Sequence, residues 1–497
     1  MAFGFWALVG LVVLAPLPFG SVEPWAWSAL ATAVGVLLVA WAATVAIGRN
    51  PPPASVRRVW VPVALFIPPV LWTLVQVSPD VPAAWQHPIW QTAGRVLGAD
   101  LVGSITLDRH QTGSALLRLL AYAGIFWLSL QHCRRVQNAH RVLYAVVAAG
   151  VLYAAYGLAI QFTGAEKILW YDKLRFVDSV TATFYYKNSF ATFAGLGLVA
   201  ALGIVLVSIT ETTGAGYGRR ETARVLMSRL IARDWIAICA LIVVSTALLL
   251  SNSRAGFLAT CLGLLVLLVA TRVAQRKAAR GSRAAGVAVA LAMAGFVAVS
   301  GGNVLDRIGD VTQDIAQTAT VKDDRPIIYG LTAQAIEDSP ILGTGYGTFP
   351  DVFRFYRVPE LHRWVIQAHN TYLENALELG VPAAALLVLA VASLGILCAI
   401  GIFRRNRDTV YPCIGLAATV LVGTHALVDF TMQSPAVAAT YFLIMGAACA
   451  QSWSRPSRSS GSGRRAARQS DETAGDFAPA LAAAPRDLAL EGGERLR

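Results

Sequence analysis

Apolar residues in this chain run together rather than alternate, and polar residues gather in the gaps. Twelve runs stand out: 3–19, 25–47, 59–77, 114–131, 142–163, 187–209, 235–250, 255–271, 285–301, 379–402, 410–430 and 436–451. Crossing the hydrocarbon core of a bilayer as a helix takes about 20 mostly apolar residues. The pattern therefore predicts an all-α polytopic membrane protein with about 12 transmembrane helices over residues 1–451. Several runs contain Pro or Gly, which membrane helices tolerate because neighbouring helices re-satisfy the freed backbone groups. Residues 452–497 are rich first in Ser, Gly and Arg and then in Ala and Glu, without an apolar period, and read as a disordered tail.

Three gaps are long: 78–113, 164–186 and 302–378. The last is the longest polar stretch between apolar runs and has helical organisation of its own. Asp324 can cap a helix whose first turn holds Pro326, with Ile327, Ile328, Leu331 and Ala335 on one face. Ser339-Pro340 stops it, and Gly343, Gly345 and Gly347 make a tight turn. Thr371-x-x-Glu374 has the pattern of a capping box, opening a helix with Leu373, Leu377 and Gly380 that leads into the next span. His369 lies just before that cap.

Composition agrees with the pattern. The chain is 56% hydrophobic and 14% charged, against about 25% charged in a soluble domain. The net charge of +12 does not point to nucleic acid, because the cations sit in short loops between runs. Lys and Arg crowd alternate loops, as with Arg57/Arg58, Arg134/Arg135, Arg219/Arg220 and Arg404/Arg405. By the positive-inside rule these loops are cytoplasmic, as are both termini and the tail. The loops with most acids, including 302–378, then face the periplasm or cell exterior, where an arginine needs a reason such as an anionic ligand. The six cysteines lack metal spacing and imply no disulfide framework. The N-terminus lacks a basic start and a clear cleavage site, and reads as a first span rather than a signal peptide.

Several residues could carry chemistry. His369, near a helix N-terminus that disfavours imidazolium, suits a general base; a loop histidine bonded to backbone fits it too. Arg254, in the tight turn after Ser251-Asn252-Ser253, has a fork suited to phosphate oxygens, or snorkels to the membrane surface. Arg325 can serve the same end or pair with a neighbouring acid. Arg175 and Lys187 flank the start of a span, as phosphate contacts or interfacial anchors. His425 and Asp429, four apart in one run, share a helix face, where ionisable residues default to function. The Gly343-Thr344-Gly345-Tyr346-Gly347 turn follows a helix, lacks a preceding strand and a following lysine, and is no nucleotide loop.

Four motifs together resemble the O-antigen ligase and polymerase family of bacterial envelope enzymes. They are Ser253-Arg254-Ala255-Gly256 opening a span; Arg325 ahead of Asp338-Ser339-Pro340-Ile341-Leu342-Gly343-Thr344-Gly345; His369-Asn370-Thr371-Tyr372-Leu373-Glu374 followed by Glu378-Leu379-Gly380; and Thr183-Phe184…Asn188…Ala191. In the last the family usually has Gly where this chain has Ala182. The resemblance implies a glycosyltransferase C-like membrane fold with a large helical periplasmic loop. It implies transfer of a glycan from undecaprenyl diphosphate to an acceptor hydroxyl of a lipid, glycan or protein, without cofactor or metal. On it, Arg254 and Arg325 hold the diphosphate, with Arg175 and Lys187 as further contacts, and His369 takes the acceptor proton. Asn370, Glu378 and Tyr346, in or beside these motifs, and the His425/Asp429 pair are supporting residues. Ligase and polymerase stay undivided. The competing reading is a transporter or flippase of lipid-linked sugars without chemistry, although transporters place their binding groups near the bilayer midplane.

Overall fold

The computed structural model describes residues 2–48, 52–213, 217–277, 324–361, 364–405 and 407–453. The predicted span 285–301, the first part of the long loop (302–323) and the tail from 454 onward lie outside the described residues. Helices occupy the eleven other predicted runs.

The first half contains α1 (Ala2–Leu14), α2 (Pro24–Ala46), α3 (Trp60–Val77), α4 (Ile89–Leu97), α5 (Arg109–His132) and α6 (Val136–Thr163). A short antiparallel hairpin, β1 (Lys167–Ile168) with β2 (Tyr171–Asp172), precedes α7 (Lys187–Thr213), α8 (Arg219–Ala232), α9 (Trp235–Leu250) and α10 (Arg254–Lys277). The polar loop supplies α11 (Arg325–Asp338), α12 (Phe349–Tyr356) and α13 (Thr371–Leu379). The chain closes with α14 (Val381–Arg404), α15 (Val410–His425) and α16 (Pro435–Ala450).

Among the described residues, seven helices are long and apolar enough to cross a membrane, or up to eight if Arg220–Ala232 and Trp235–Leu250, bent by 68°, form one span. Phe3–Leu14, Val410–His425 and Pro435–Ala450 are apolar but shorter. The chain is a mostly helical, multi-pass membrane protein. Helix α7 is its axis: the apolar window within it is 94% buried, and α6, α9, α10 and α15 pack around it. Small residues permit that approach. A Cβ on Gly195 of α7 would stand 2.4 Å from Thr260 Oγ1 of α10, so the close helix contact needs glycine there.

The polar loop folds against one end of this bundle over its own small core, in which Ile328, Ala335, Phe349, Phe353, Leu361 and Leu377 are buried. Ile327 and Leu331, expected on the same face as Ile328 and Ala335, pack partly buried against it. Gln76, at the end of α3, pins the glycine turn. Its amide donates to Leu342 O at 2.9 Å and Glu378 O at 2.8 Å, and its Oε1 accepts from the Tyr346 N–H at 3.2 Å. Trp72 adds a bond to Leu379 O at 2.9 Å. Gly345 sits at φ 110°, and a Cβ there would meet Thr106 Oγ1 at 2.0 Å, so no other residue fits.

Four local expectations change. The cap of α13 is Asn370, whose Oδ1 accepts from Tyr372 N at 3.0 Å and Leu373 N at 3.1 Å. Thr371 is the first helical residue instead, because its N–H and hydroxyl are taken by Ala426 O at 2.9 Å and Asp429 O at 3.0 Å. Asp324 occupies the N-cap position of α11 without a side-chain cap bond, its backbone already helical at φ −68° and ψ −11°. The span expected from 379 begins at Val381, after a break at Gly380 with φ 79°.

The fourth change concerns His425 and Asp429, which do not share a helix face, since α15 ends at His425. The Ala426 carbonyl accepts from Thr371 rather than continuing the helix, and the Phe430 N–H turns to Asp429 Oδ1 at 2.8 Å. Ala182, where the resembled family usually has glycine, stands at φ 47°, a left-handed conformation that costs a residue with a side chain about 1–2 kcal/mol.

Candidate functional site

His369 sits one residue before the cap of α13, in a left-handed conformation at φ 53°. Its carbonyl accepts from the Tyr329 hydroxyl of α11 at 2.8 Å. Its ring packs edge-on against Phe430, centroids 5.1 Å apart, and its Nδ1 lies 3.5 Å from Asp429 Oδ1. That is long for a hydrogen bond but close for an ion pair. Asp429 is 1% exposed and the His369 side chain 24%, so one is a buried anchor and the other reaches open space.

A line of bonds runs back from Asp429. Asn188, in the first turn of α7, donates its amide to Asp429 Oδ2. Its Oδ1 accepts from the Ser253 hydroxyl at 2.8 Å, in the turn just before Arg254. His425 stands beside this line: its Nδ1 is 2.7 Å from Thr192 Oγ1, and a Cβ on Gly256 would touch its ring at 3.1 Å. Burial alone would raise the Asp429 carboxyl. Hydrogen bonding and charge from His369, with His425 and the Phe430 N–H, hold it below its ordinary value instead. Asp429 therefore stays an anion, able to accept a proton bond from Nδ1 and leave Nε2 as the lone-pair nitrogen.

In front of His369 is a cavity of about 70 Å³ lined also by Arg175, Lys187, Asn188, Trp364 and Phe430. Lys187 lies 5.4 Å from the Phe176 ring centre and donates to Asn252 O at 2.9 Å, which ties it to the turn of Arg254. The fold thus brings His369, Arg175 and Lys187 to one cavity, with Asp429 behind. Arg254 and Arg325 open α10 and α11 and are not among this cavity's lining residues. They flank the same network: Arg254 follows Ser253, and Arg325 is near enough for its charge to act on His425.

A second, larger cavity of about 400 Å³ lies alongside and shares Tyr186, Ile366, Gln367 and Phe430 with the first. Glu378 and Tyr346 line it, with Glu374 and Arg118. Glu374 and Glu378 are one turn apart on α13 and both 3% exposed. Burial, and for Glu374 the neighbouring Glu378, raise both carboxyls, Glu378 to about 7. Opposing bonds come to Glu374 from Ala368 N at 2.8 Å and Gln433 Nε2 at 2.6 Å, and to Glu378 from Phe349 N at 3.0 Å. Burial thus favours the protonated form of both carboxyls. Among the described residues no group of three His, Cys, Asp or Glu could hold a metal ion.

Residues 239–388 match the family model described as O-antigen ligase. Over this stretch the chain is similar to that family. No curated protein matches the chain. The matched segment takes in Arg254, Arg325, His369, Glu374 and Glu378. The other half of the site lies outside it, with Arg175, Lys187 and Asn188 before and Asp429 and Phe430 after.

Sequence reasoning about this site missed Arg118, Gln76, Phe430 and Gln433. Arg118 left a signal, since an arginine within an apolar run is costly without a partner or a polar cavity. Gln76, at the end of its run, read as an ordinary boundary residue.

Proposed function

We propose that this protein is a glycosyltransferase of the O-antigen ligase or polymerase type. It moves a glycan from undecaprenyl diphosphate to an acceptor hydroxyl at the outer face of the bacterial inner membrane, with both termini cytoplasmic. The observation that carries the reading is that His369, backed at 3.5 Å by a buried anionic Asp429, shares a cavity with two cations.

The chemistry follows from that arrangement. Arg175 and Lys187, with Arg254 and Arg325 at the neighbouring helix starts, bind the diphosphate. They offset the charge that grows on it as the bond from the anomeric carbon to phosphate oxygen breaks. Asp429 holds the Nδ1–H, so Nε2 removes the proton of the acceptor hydroxyl while that oxygen bonds to the anomeric carbon. The diphosphate leaves with the electron pair of the broken bond, and the proton rests on His369 until solvent takes it. Asn188 and Ser253 keep Asp429 in place.

The test uses the purified full chain with undecaprenyl-diphosphate glycan and an acceptor fraction from the same cells. His369→Ala should lower the transfer rate by about 10²–10⁴-fold, the usual contribution of a general base. Arg254→Ala, Arg325→Ala and Arg175→Ala should each weaken donor use. Full transfer by His369→Ala would sink the base assignment. A wild-type protein that only carries the lipid across vesicles would replace the enzyme reading by transport.

A further inference from the structure

The larger cavity is lined by Glu23, Glu374, Glu378 and Arg118 among aromatic and uncharged polar residues, and has unused hydrogen-bonding capacity beside it. Gln367 Oε1, Gln433 Oε1 and Ser434 Oγ are buried without a hydrogen-bond partner among the described residues, and all three residues line it. Ser434 is 3% exposed. Buried polar atoms are nearly always paired, and leaving one unpaired costs about 1–3 kcal/mol. Three such atoms on residues that line one cavity leave hydrogen-bonding capacity beside it, which a ligand with its own donors would take up once these side chains turn toward it. Carbohydrate hydroxyls are such donors. The flat faces of Tyr122, Tyr185 and Tyr346 suit the apolar faces of sugar rings.

The partition between the two cavities tells which sugar this is. Phe430 lines both, its ring edge-on to His369 at 5.1 Å and to Tyr186 at 5.0 Å. The cations Arg175 and Lys187 line only the smaller cavity. A diphosphate and the anomeric carbon bonded to it belong there. The attacking hydroxyl must reach that carbon from the side away from the leaving group, with His369 in reach.

We infer that the cavity lined by Glu374, Glu378, Gln367, Gln433 and Ser434 binds the acceptor glycan and delivers its hydroxyl past Phe430 to His369. This rests on the glycosyltransferase reading. Gln367 Oε1, Gln433 Oε1 and the carboxyl oxygens of Glu374 and Glu378 accept from sugar hydroxyls, while Arg118 and Ser434 donate.

Initial rates, with donor and acceptor varied separately, test it on wild type, Gln433→Met and Ser434→Val. Each variant should raise the apparent KM for acceptor by about tenfold, the cost of one or two hydrogen bonds, and leave that for donor within twofold. Ser434→Thr should behave as wild type. A rise in donor KM with acceptor KM unchanged would give the cavity to the donor's glycan, and no change in either would empty it of a role; both overturn the inference. If wild type transfers nothing, the reading beneath fails separately. The cavity is then judged by saturation-transfer NMR with free glycans released from the cells' own envelope by mild acid. Signals from the wild type that Ser434→Val abolishes keep the sugar site, and signals equal in both overturn it. Thermal melting screens the variants, so that one that unfolds leaves the other to decide.

Discussion

At the scale of single residues, the site divides the work of one histidine among three neighbours. Phe430 covers one edge of the ring, Tyr329 holds its carbonyl, and Asp429 sits behind Nδ1. Asp429 touches no reacting atom in this scheme and is a positioning residue. Asp429→Asn keeps the shape but can present its amide N–H to Nδ1, which favours the wrong tautomer. We expect kcat to fall at least about tenfold with donor KM nearly unchanged, and Asp429→Glu to recover part of it. A variant that raised KM instead would show that Asp429 shapes binding. Isotope-edited NMR of the ring nitrogens should show the tautomer shift, which a purely structural loss would not produce.

Elements explain what could be read beforehand. Long apolar runs predict helices well, because burying twenty apolar residues in lipid leaves the backbone few alternatives. His369, Arg175 and Lys187 could be singled out because polar residues beside apolar runs are conspicuous. The residues that place them could not. Asn370 and Thr371 are both good caps by type, and what decides between them is that Thr371 is already bonded to Ala426 and Asp429, far along the chain. The end of α15 is likewise set by that long-range contact, so His425 and Asp429 looked like helix neighbours and are not. Gln76 joins two loop carbonyls more than 260 residues away, a pairing with no local pattern. Asn370→Ala should cost about 1 kcal/mol by loss of the cap, read as a lower melting temperature. It should also slow transfer, since the cap adjoins His369. Unchanged melting would return the cap to Thr371.

For the whole molecule, two consequences are measurable. The first is a pH dependence of stability. Glu378 binds its proton more tightly folded, at about 7, than at its ordinary value of 4.5. Between those values the folded chain holds more protons than the unfolded one, so stability falls as pH rises through that window. Melting in detergent should drop from pH 5 to pH 8, and Glu378→Gln should flatten the drop. A wild-type curve that is flat or rises would contradict the raised carboxyl. The second is sidedness. A cysteine introduced at Glu360, in the polar loop, should react with an impermeant maleimide added to intact spheroplasts, after the six native cysteines are controlled for. Labelling only after lysis would invert the orientation.

The backbone of His369, held left-handed at φ 53°, is strained at the position of the base. That conformation costs an L-residue about 1–2 kcal/mol, a cost glycine would not carry. Glycine would also remove the ring that keeps the buried Asp429 ionised and packs on Phe430, and would add its own entropy cost on folding. The strained histidine is thus held by what it touches, and a search for heat resistance alone should leave it in place.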